Sequence, residues 1–485
     1  MQPQYRLSEE SLQESASMAR HLSQELLGFL APLVVLLDAY LDHRLVDTFV
    51  QTIAAIITFR HRANGLLLSE LGAYLESPAH APAGTKRLGN LLRSPKWASA
   101  LLGRFLWQRA EQRVAEFTQA EEEGLLLWDE SVIEKSESIT LEGLCAVRSS
   151  KAARLKRIKP GYYNPPGGRP VFVPGMHWLA VLLVGRQGPP VLAAMRWWTT
   201  RGPFAHSRRE EEESLLKQCA LAWGGRVLHT FDRGFAGGPW LGLCLGHVLR
   251  FIMRWPKHYL LRDATGNKRK AWQITRGKRS WAQRQVWDAR RHQWYQAGVL
   301  AVPVRHPDYQ QPLWLVVSRP GKGRLPWYLL TADPIETEED AWRVVFAYAR
   351  RWQIEMTWRY CKSELAFESP RLRLWDQRLK LLLMASLAYA FLLTFLLTDQ
   401  ANLRAWLLRQ WCHRTGKRYR EVTAPLYRLR WALSRLWQAY PPFASPPSLA
   451  PASTDPPPTN WQEKLCLFLL LLNLVLLVVF LNFRS

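Results

Sequence analysis

The stretch from Thr337 to Pro370, TEEDAWRVVFAYARRWQIEMTWRYCKSELAFESP, constrains this chain more than any other. It reads as one long helix. Thr337 followed by Asp340 forms a capping-box-like start, since a short hydroxyl takes an orphan backbone N–H and acids suit a first turn. Ser369-Pro370 ends it, because proline disfavours a helical residue before it. Tyr348, Arg351, Glu355 and Lys362 follow at steps of 3, 4 and 7 residues. At ~100° per residue they fall within an arc of roughly 60°. One wall thus carries a carboxylate, two cations and a phenol, with Arg359 close beside them. Two readings fit such a wall. One is a solvated face with intrahelical ion pairs. The other is a carboxylate for a divalent metal, with basic neighbours for a phosphate backbone. The helix alone does not decide between them.

The rest of the chain narrows the choice. A net charge of +25 over 485 residues implies a polyanionic partner, either nucleic acid or an anionic membrane surface. Hydrophobic residues make up 48%, with 24 tryptophans, which excludes a disordered chain and allows two or three domains. The six cysteines are scattered without a C-x-x-C pair, as expected of packed, reduced thiols rather than disulfides or zinc ligands. The polar, acidic N-terminus MQPQYRLSEESLQES is not a secretory signal.

In chain order, residues 1–123 read as roughly five helices, with Lys86, Arg87 and Arg93 near the start of a helix pair. Such a unit is a plausible reader of a DNA end. Gly124–Asp129, GLLLWD, fits a buried strand whose last residue presents its carboxylate at the sheet edge, and Lys135 follows on the outgoing loop. Residues 146–170 form a basic loop with Tyr162, Tyr163 and a PPGG turn. HWLAVLLV and VLAAMRWW read as a hairpin. The Glu210–Glu213 run opens a helix as a solvated first turn. Arg226–Asp232, RVLHTFD, repeats the apolar run closing on an acid, and Gly234 lets the chain turn sharply after it. A helix over Pro239–Leu249 and a strand at HYLL are expected next.

Residues 262–336 read as a β-rich module, basic in its first part, with Trp272, Trp281, Trp287 and Trp294. Most of these rings are expected to pack the module, although basic residues interleaved with aromatics also suit a nucleic-acid backbone and its bases. Leu381–Thr398 reads as a core helix, residues 401–438 as another basic helical region, and residues 441–460, with eight prolines, as a linker. Leu465–Leu481 is apolar except for Asn473, so the tail over residues 461–485 meets the rule for a membrane anchor and also suits self-association.

If Asp129, Asp232 and Glu355 converge, they offer the hard oxygen ligands that Mg²⁺ or Mn²⁺ prefers. WDESVIEK, HTFDRGF and the Y-x2-R-x3-E-x6-K pattern of Tyr348, Arg351, Glu355 and Lys362, in this order, resemble the D-D-E insertion-sequence transposases. The resemblance is strongest to the group with the Y-R-E-K signature, insertion-sequence family four and its relatives, and spans roughly residues 87–370. It implies an α/β fold: a ribonuclease-H-like catalytic core in two parts, residues 124–261 and 337–440, with a β-rich insertion at 262–336. It further implies an N-terminal helical DNA-end-binding domain, a helical C-terminal region and a dimeric synaptic complex.

The same resemblance assigns a pair of Mg²⁺ or Mn²⁺ ions to Asp129, Asp232 and Glu355, and phosphate contacts to Tyr348, Arg351 and Lys362. Arg359, Lys135, Lys86 and Arg87 join them as DNA-contact candidates, with Trp281 as one candidate for stacking a flipped base. The partners are then double-stranded DNA, as terminal inverted repeats and target, in a bacterial cytoplasm at the nucleoid. A non-catalytic DNA-binding derivative and a membrane-anchored basic protein are the alternatives. No P-loop is present, and His206–Arg209 gives only an isolated fragment of a tyrosine-recombinase set.

Overall fold

The computed structural model describes residues 9–59, 64–135, 140–149, 171–288, 293–321, 324–412 and 426–442, all within one compact unit, Met1–Pro442. The basic loop with Tyr162 and Tyr163, part of the 401–438 region, most of the proline-rich stretch and the apolar tail lie outside the described residues.

Five helices come first: α1 (Glu9–Asp38), α2 (His43–Thr58), α3 (Leu68–Leu75), α4 (Ala81–Arg93) and α5 (Ala100–Gln119). Strands β1 (Gly124–Glu134), β2 (Cys145–Arg148), β3 (Phe172–Val184) and β4 (Val191–Trp198) follow, then α6 (Arg208–Trp223), β5 (Val227–Phe231), α7 (Gly238–Gly246) and β6 (Arg250–Arg254). After β7 (Leu260–Arg262), β8 (Lys268–Lys270) and α8 (Ala271–Thr275) come β9 (Ala282–Asp288), β10 (Gln293–Val304), β11 (Leu313–Pro320) and β12 (Trp327–Thr331). The chain then returns to helices: α9 (Glu338–Ala349), α10 (Trp352–Ser363), α11 (Trp375–Thr394), α12 (Ala401–Gln410) and α13 (Leu426–Ala439).

Ten strands join in one sheet of order β2-β3-β1-β5-β6-β12-β11-β10-β9, with β4 also paired to β3. β1, β5 and β6 run parallel, and β3 runs against β1. The segment read as an inserted module is therefore no separate layer: β12 pairs with β6 and carries the core sheet onward. Only β7 and β8, which include part of the expected HYLL strand, form a small sheet of their own. β6 was not anticipated, because RFIMR offers only three apolar residues between two arginines. Parallel pairing to β5 on one side and antiparallel pairing to β12 on the other bury its centre despite that.

Three further expectations change. β1 does not stop at Asp129 but runs to Glu134, since the chain beyond the acid pairs with β3 through Gly175. The Glu210–Glu213 run does open α6, with a capping box between Ser207 and Glu210, but Glu212 is buried rather than solvated. The helix expected over Pro239–Leu249 ends at Gly246, where Val248 takes a φ of 52° before β6.

The single helix expected from Thr337 to Ser369 is two. The capping box of Thr337 and Asp340 forms as anticipated. At Arg350 and Arg351 the ladder tightens to three-residue steps: Arg350 N–H reaches Ala347, Arg351 reaches Tyr348, Gln353 reaches Arg350 and Ile354 reaches Arg351. α10 then ends at Ser363, because Leu365, Ala366 and Phe367 are all drawn into the core. Phe367 stacks on Trp178 at 5.1 Å, and the turn that takes it there holds Ala366 at a φ of 51°.

The first five helices pack on the rest through α11 and α13, which contact α2. Buried cations tie them together. Lys380 Nζ donates to the carbonyls of Leu92 (3.3 Å) and Ser94 (3.0 Å), and Arg430 donates to the carbonyl of Phe59. α11 is buried along nearly its whole length, as a core helix should be. By length and composition α1 and α11 could each cross a membrane, but 83% of the α11 window is buried inside the protein, which accounts for its apolar character.

Candidate active site

Strand alternation sorts the two adjacent acids in the middle of β1. Successive side chains point to opposite faces, so Asp129 and Glu130 leave the sheet in opposite directions. Asp129 meets α10: Trp358 Nε1 donates to its Oδ2 at 3.0 Å, and Arg351 Nη1 lies 3.5 Å from the same oxygen. Glu130 meets α6: Arg208 Nη2 lies 2.7 Å from its Oε2 while Arg208 Nε holds Glu212 Oε1 at 2.8 Å.

Asp232 directly follows β5, the parallel neighbour of β1, and Asp129 lies mid-strand on β1 just past the point where its pairing with β5 stops, so both aspartates sit beyond the carboxyl end of that parallel pairing. That edge is where open α/β sheets place their ligands. The Asp232 Oδ1 accepts from Gly234 N–H at 2.6 Å, closing a tight turn. A Cβ at position 234 would come within 2.9 Å of that oxygen, so any larger residue there would have to displace the carboxylate.

Glu355 sits in the first turn of α10 and pairs with Arg351, the residue before that helix. Arg351 is the hub. It touches Asp129 and Glu355 directly and also feels Asp232 and Tyr348. Burial works against its charge, but Tyr348 and the three carboxylates outweigh this and raise its pKa. Three acids separated by roughly a hundred residues each thus gather around one guanidinium.

Their protonation follows from the same surroundings. Burial pushes Asp129 up to about 6; Arg351 opposes this, Asp232 adds to it, and the Trp358 and Glu130 N–H groups oppose it. Burial, then Glu212, pushes Glu130 up to about 7 against Arg208. The Tyr348 hydroxyl, shut away from solvent, lies by Arg351 and Arg254, and burial raises its pKa against both cations.

The donor chemistry suits a hard divalent ion. Three carboxylates face the one guanidinium that touches two of them, and Asp129 is buried where its own charge is poorly compensated. As the side chains stand, no three His, Cys, Asp or Glu among the described residues are arranged to hold a metal ion. Arg351 occupies the space between Asp129 and Glu355.

The remaining candidates fall into two groups. Arg359 is exposed on α10, and Lys362, half-buried, lies about two turns beyond Glu355 on the same helix. The others stand apart from the carboxylates. Lys135, expected on an open loop, is buried, and its Nζ donates to the carbonyls of Glu368 and, at 2.6 Å, Pro370. Its ammonium is taken up in fixing the chain that follows α10, so it does not face a phosphate. Arg87 on α4 pairs with Glu76 and reaches Gln51 at 3.1 Å, whereas Lys86 beside it is exposed.

Trp281 precedes β9, the edge strand six places from β1, roughly 29 Å across the sheet at ~4.8 Å per strand. The tryptophans expected to pack this region mostly do not: Trp281, Trp287 and Trp294 are 45%, 45% and 65% exposed. Sequence reasoning missed Trp358, Arg254 and the Glu130–Arg208–Glu212 cluster. The signal for Arg254 was present, since RFIMR is a third apolar run closing on a charged residue.

Residues 205–391 match a family model described as a transposase DDE domain. A solved piggyBac transposase synaptic complex with hairpin DNA is similar at a TM-score of 0.40 and 13% identity, covering 91% of this chain and 87% of that one. No curated protein matches the sequence.

Proposed function

We propose that this chain is a D-D-E transposase that binds the terminal inverted repeats of its element, cleaves DNA by metal-dependent phosphodiester hydrolysis and joins the freed 3′-hydroxyl ends to a target. The observation that carries this reading is the gathering of Asp129, Asp232 and Glu355 around Arg351 beyond the carboxyl end of the β1–β5 pairing. The match of residues 205–391, which takes in Asp232 and Glu355, supports it. So does the strand order β4-β3-β1-β5-β6, with β3 alone running against the others, which we read as a ribonuclease-H-like core.

Asp129, Asp232 and Glu355 would hold the metal. A pair of Mg²⁺ or Mn²⁺ ions there would supply charge neutralisation and an activated water or 3′-hydroxyl. The protein's own groups do the rest. Trp358 fixes the Asp129 carboxylate from one side and the Glu130 N–H from the other, at 3.0 Å each, so its oxygens are set before DNA arrives. Arg351 neutralises the acids in the present arrangement, and a phosphate offered to its fork competes for the same donors. Drawing Arg351 onto the phosphate frees Asp129 and Glu355. Lys362 and the exposed Arg359 on α10 line the approach for phosphate contacts, with Tyr348 buried beside Arg351 at the end of α9, and we take the synaptic assembly to be a homodimer.

The deciding experiment compares Glu355→Gln with wild type on DNA carrying the element's ends. Nicking in Mg²⁺ should fall below detection while end binding stays within about twofold, an energy difference of only ~0.4 kcal/mol. Parallel loss of cleavage and binding would make Glu355 structural and remove the central support for the reading.

A further inference from the structure

A second cleft, of about 470 Å³, opens away from the carboxylates. Its walls are the start of β1 (Glu123, Leu125), the β3–β4 turn (Arg186, Gln187), Arg284 of β9 and one face of α9 running to Arg350. Glu123, just before β1, precedes Asp129 by six residues, which puts this side of the cleft roughly 20 Å from it, at the amino end of the strand.

Four arginines and three acids line it, but they do not cancel evenly. Arg284 pairs with Glu338 and Glu339, and Arg343 with Asp340. Neither Arg186 nor Arg350 has an acid partner among the described residues. Arg350 donates to the Gly188 carbonyl at 2.7 Å and to the Gln353 side-chain oxygen at 3.0 and 3.1 Å, both neutral acceptors, and its Nε is buried without a partner. Burial without an opposing carboxylate lowers its pKa. A half-buried guanidinium whose acceptors are all neutral still favours an anion beside it.

Two further features shape the ligand. Phe346 lies 41% exposed on the wall, stacked on the buried Trp342 at 5.5 Å, and so offers a flat, rigid surface. Glu123 gives one oxygen to Arg250 at 2.7 Å, while its other oxygen is buried with no hydrogen bond. That oxygen can accept from a donor. An anion, a flat ring and a hydrogen-bond donor in one molecule of this size describe a nucleotide.

We infer that this cleft binds a nucleoside phosphate, either free or as one unit of a DNA strand, with the phosphate on Arg186 and Arg350 and the base against Phe346. The inference does not rest on the role of the carboxylates, and its test uses no cleavage assay. Deoxyadenosine monophosphate, deoxyadenosine and a short single-stranded oligonucleotide are titrated separately into the full-length protein by calorimetry. The monophosphate should bind, deoxyadenosine more weakly, and both Arg186→Ala and Phe346→Ser should weaken the monophosphate by about fivefold or more, ~1 kcal/mol. Lys96→Ala, an equal loss of charge at an exposed position on another surface, should leave binding unchanged.

Arg186 lies on an exposed turn, so its replacement tests the site even if Arg350→Gln disturbs the α9–α10 junction. A response of the oligonucleotide alone to Arg186→Ala would identify a unit of the DNA strand as the occupant. If neither ligand distinguishes Arg186→Ala from Lys96→Ala, the inference is overturned.

Discussion

At the scale of single residues, position in the pleat sends two adjacent acids to different surroundings. Asp129 and Glu130 are adjacent in sequence, yet one meets the hub guanidinium and the other the Arg208–Glu212 pair. Gly234 is the residue whose replacement should be most selective. Gly234→Ala forces a methyl toward the Asp232 carboxylate, so DNA cleavage should drop at least about tenfold while the melting temperature falls only slightly, by about 1 kcal/mol of stability. An unchanged cleavage rate would mean that Asp232 tolerates displacement.

His229 supplies a pH signature. It is fully buried, accepts from Trp128 Nε1 at 3.1 Å, and burial pushes its pKa down to about 3. A base depressed in the folded state is neutral there while the unfolded chain takes up a proton below about 6.5. Stability is therefore full above that pH and falls as pH drops toward 3, by about 1.4 kcal/mol per unit well below 6.5. In chemical denaturation between pH 7 and 5, His229→Gln should flatten this slope by about one proton, and an identical slope would refute the assignment. Of these residues, Asp129 and Asp232 were legible because each closes an apolar run. Lys135 was misread because its partners, the carbonyls of Glu368 and Pro370, lie more than two hundred residues away.

At the scale of elements, the helix pair α9–α10 shows what periodicity cannot supply. The spacing of Tyr348, Arg351, Glu355 and Lys362 was readable, and so was the capping box that starts α9. The tightened turn at Arg350 and Arg351 was not, since every residue there is a competent helix former and the two arginines are held by opposite sides of the fold. The end of α10 was likewise set by tertiary burial of Phe367, not by the proline at 370. Ala366 bears the strain of that exit, so Ala366→Gly should raise stability by about 0.5–1 kcal/mol in a thermal melt. A lower melting temperature would show that its methyl packing outweighs the backbone cost.

At the scale of the whole molecule, the segment expected to stand as an insertion extends the core sheet, and the helices expected to form a leading domain are bolted to the trailing ones. Sequence separation hides both facts, because β6–β12 pairing and the Lys380 and Arg430 contacts join distant stretches. Lys380→Met should cost about 1–3 kcal/mol, since it strands the carbonyls of Leu92 and Ser94 without a donor. Thermal unfolding at constant salt checks this, and an unshifted transition would mean that water replaces the ammonium.

The same bolts carry a consequence for how a DNA end would be measured. With α4 and its exposed Lys86 fixed through Leu92 and Ser94 to α11, and α11 packed into the body that holds Glu355, the span from one to the other cannot stretch. Under the proposed function such a frame would act as a caliper: a bond broken at the carboxylates would lie at a set distance from any sequence that α4 contacts, and the protein, not the DNA, would set the gauge.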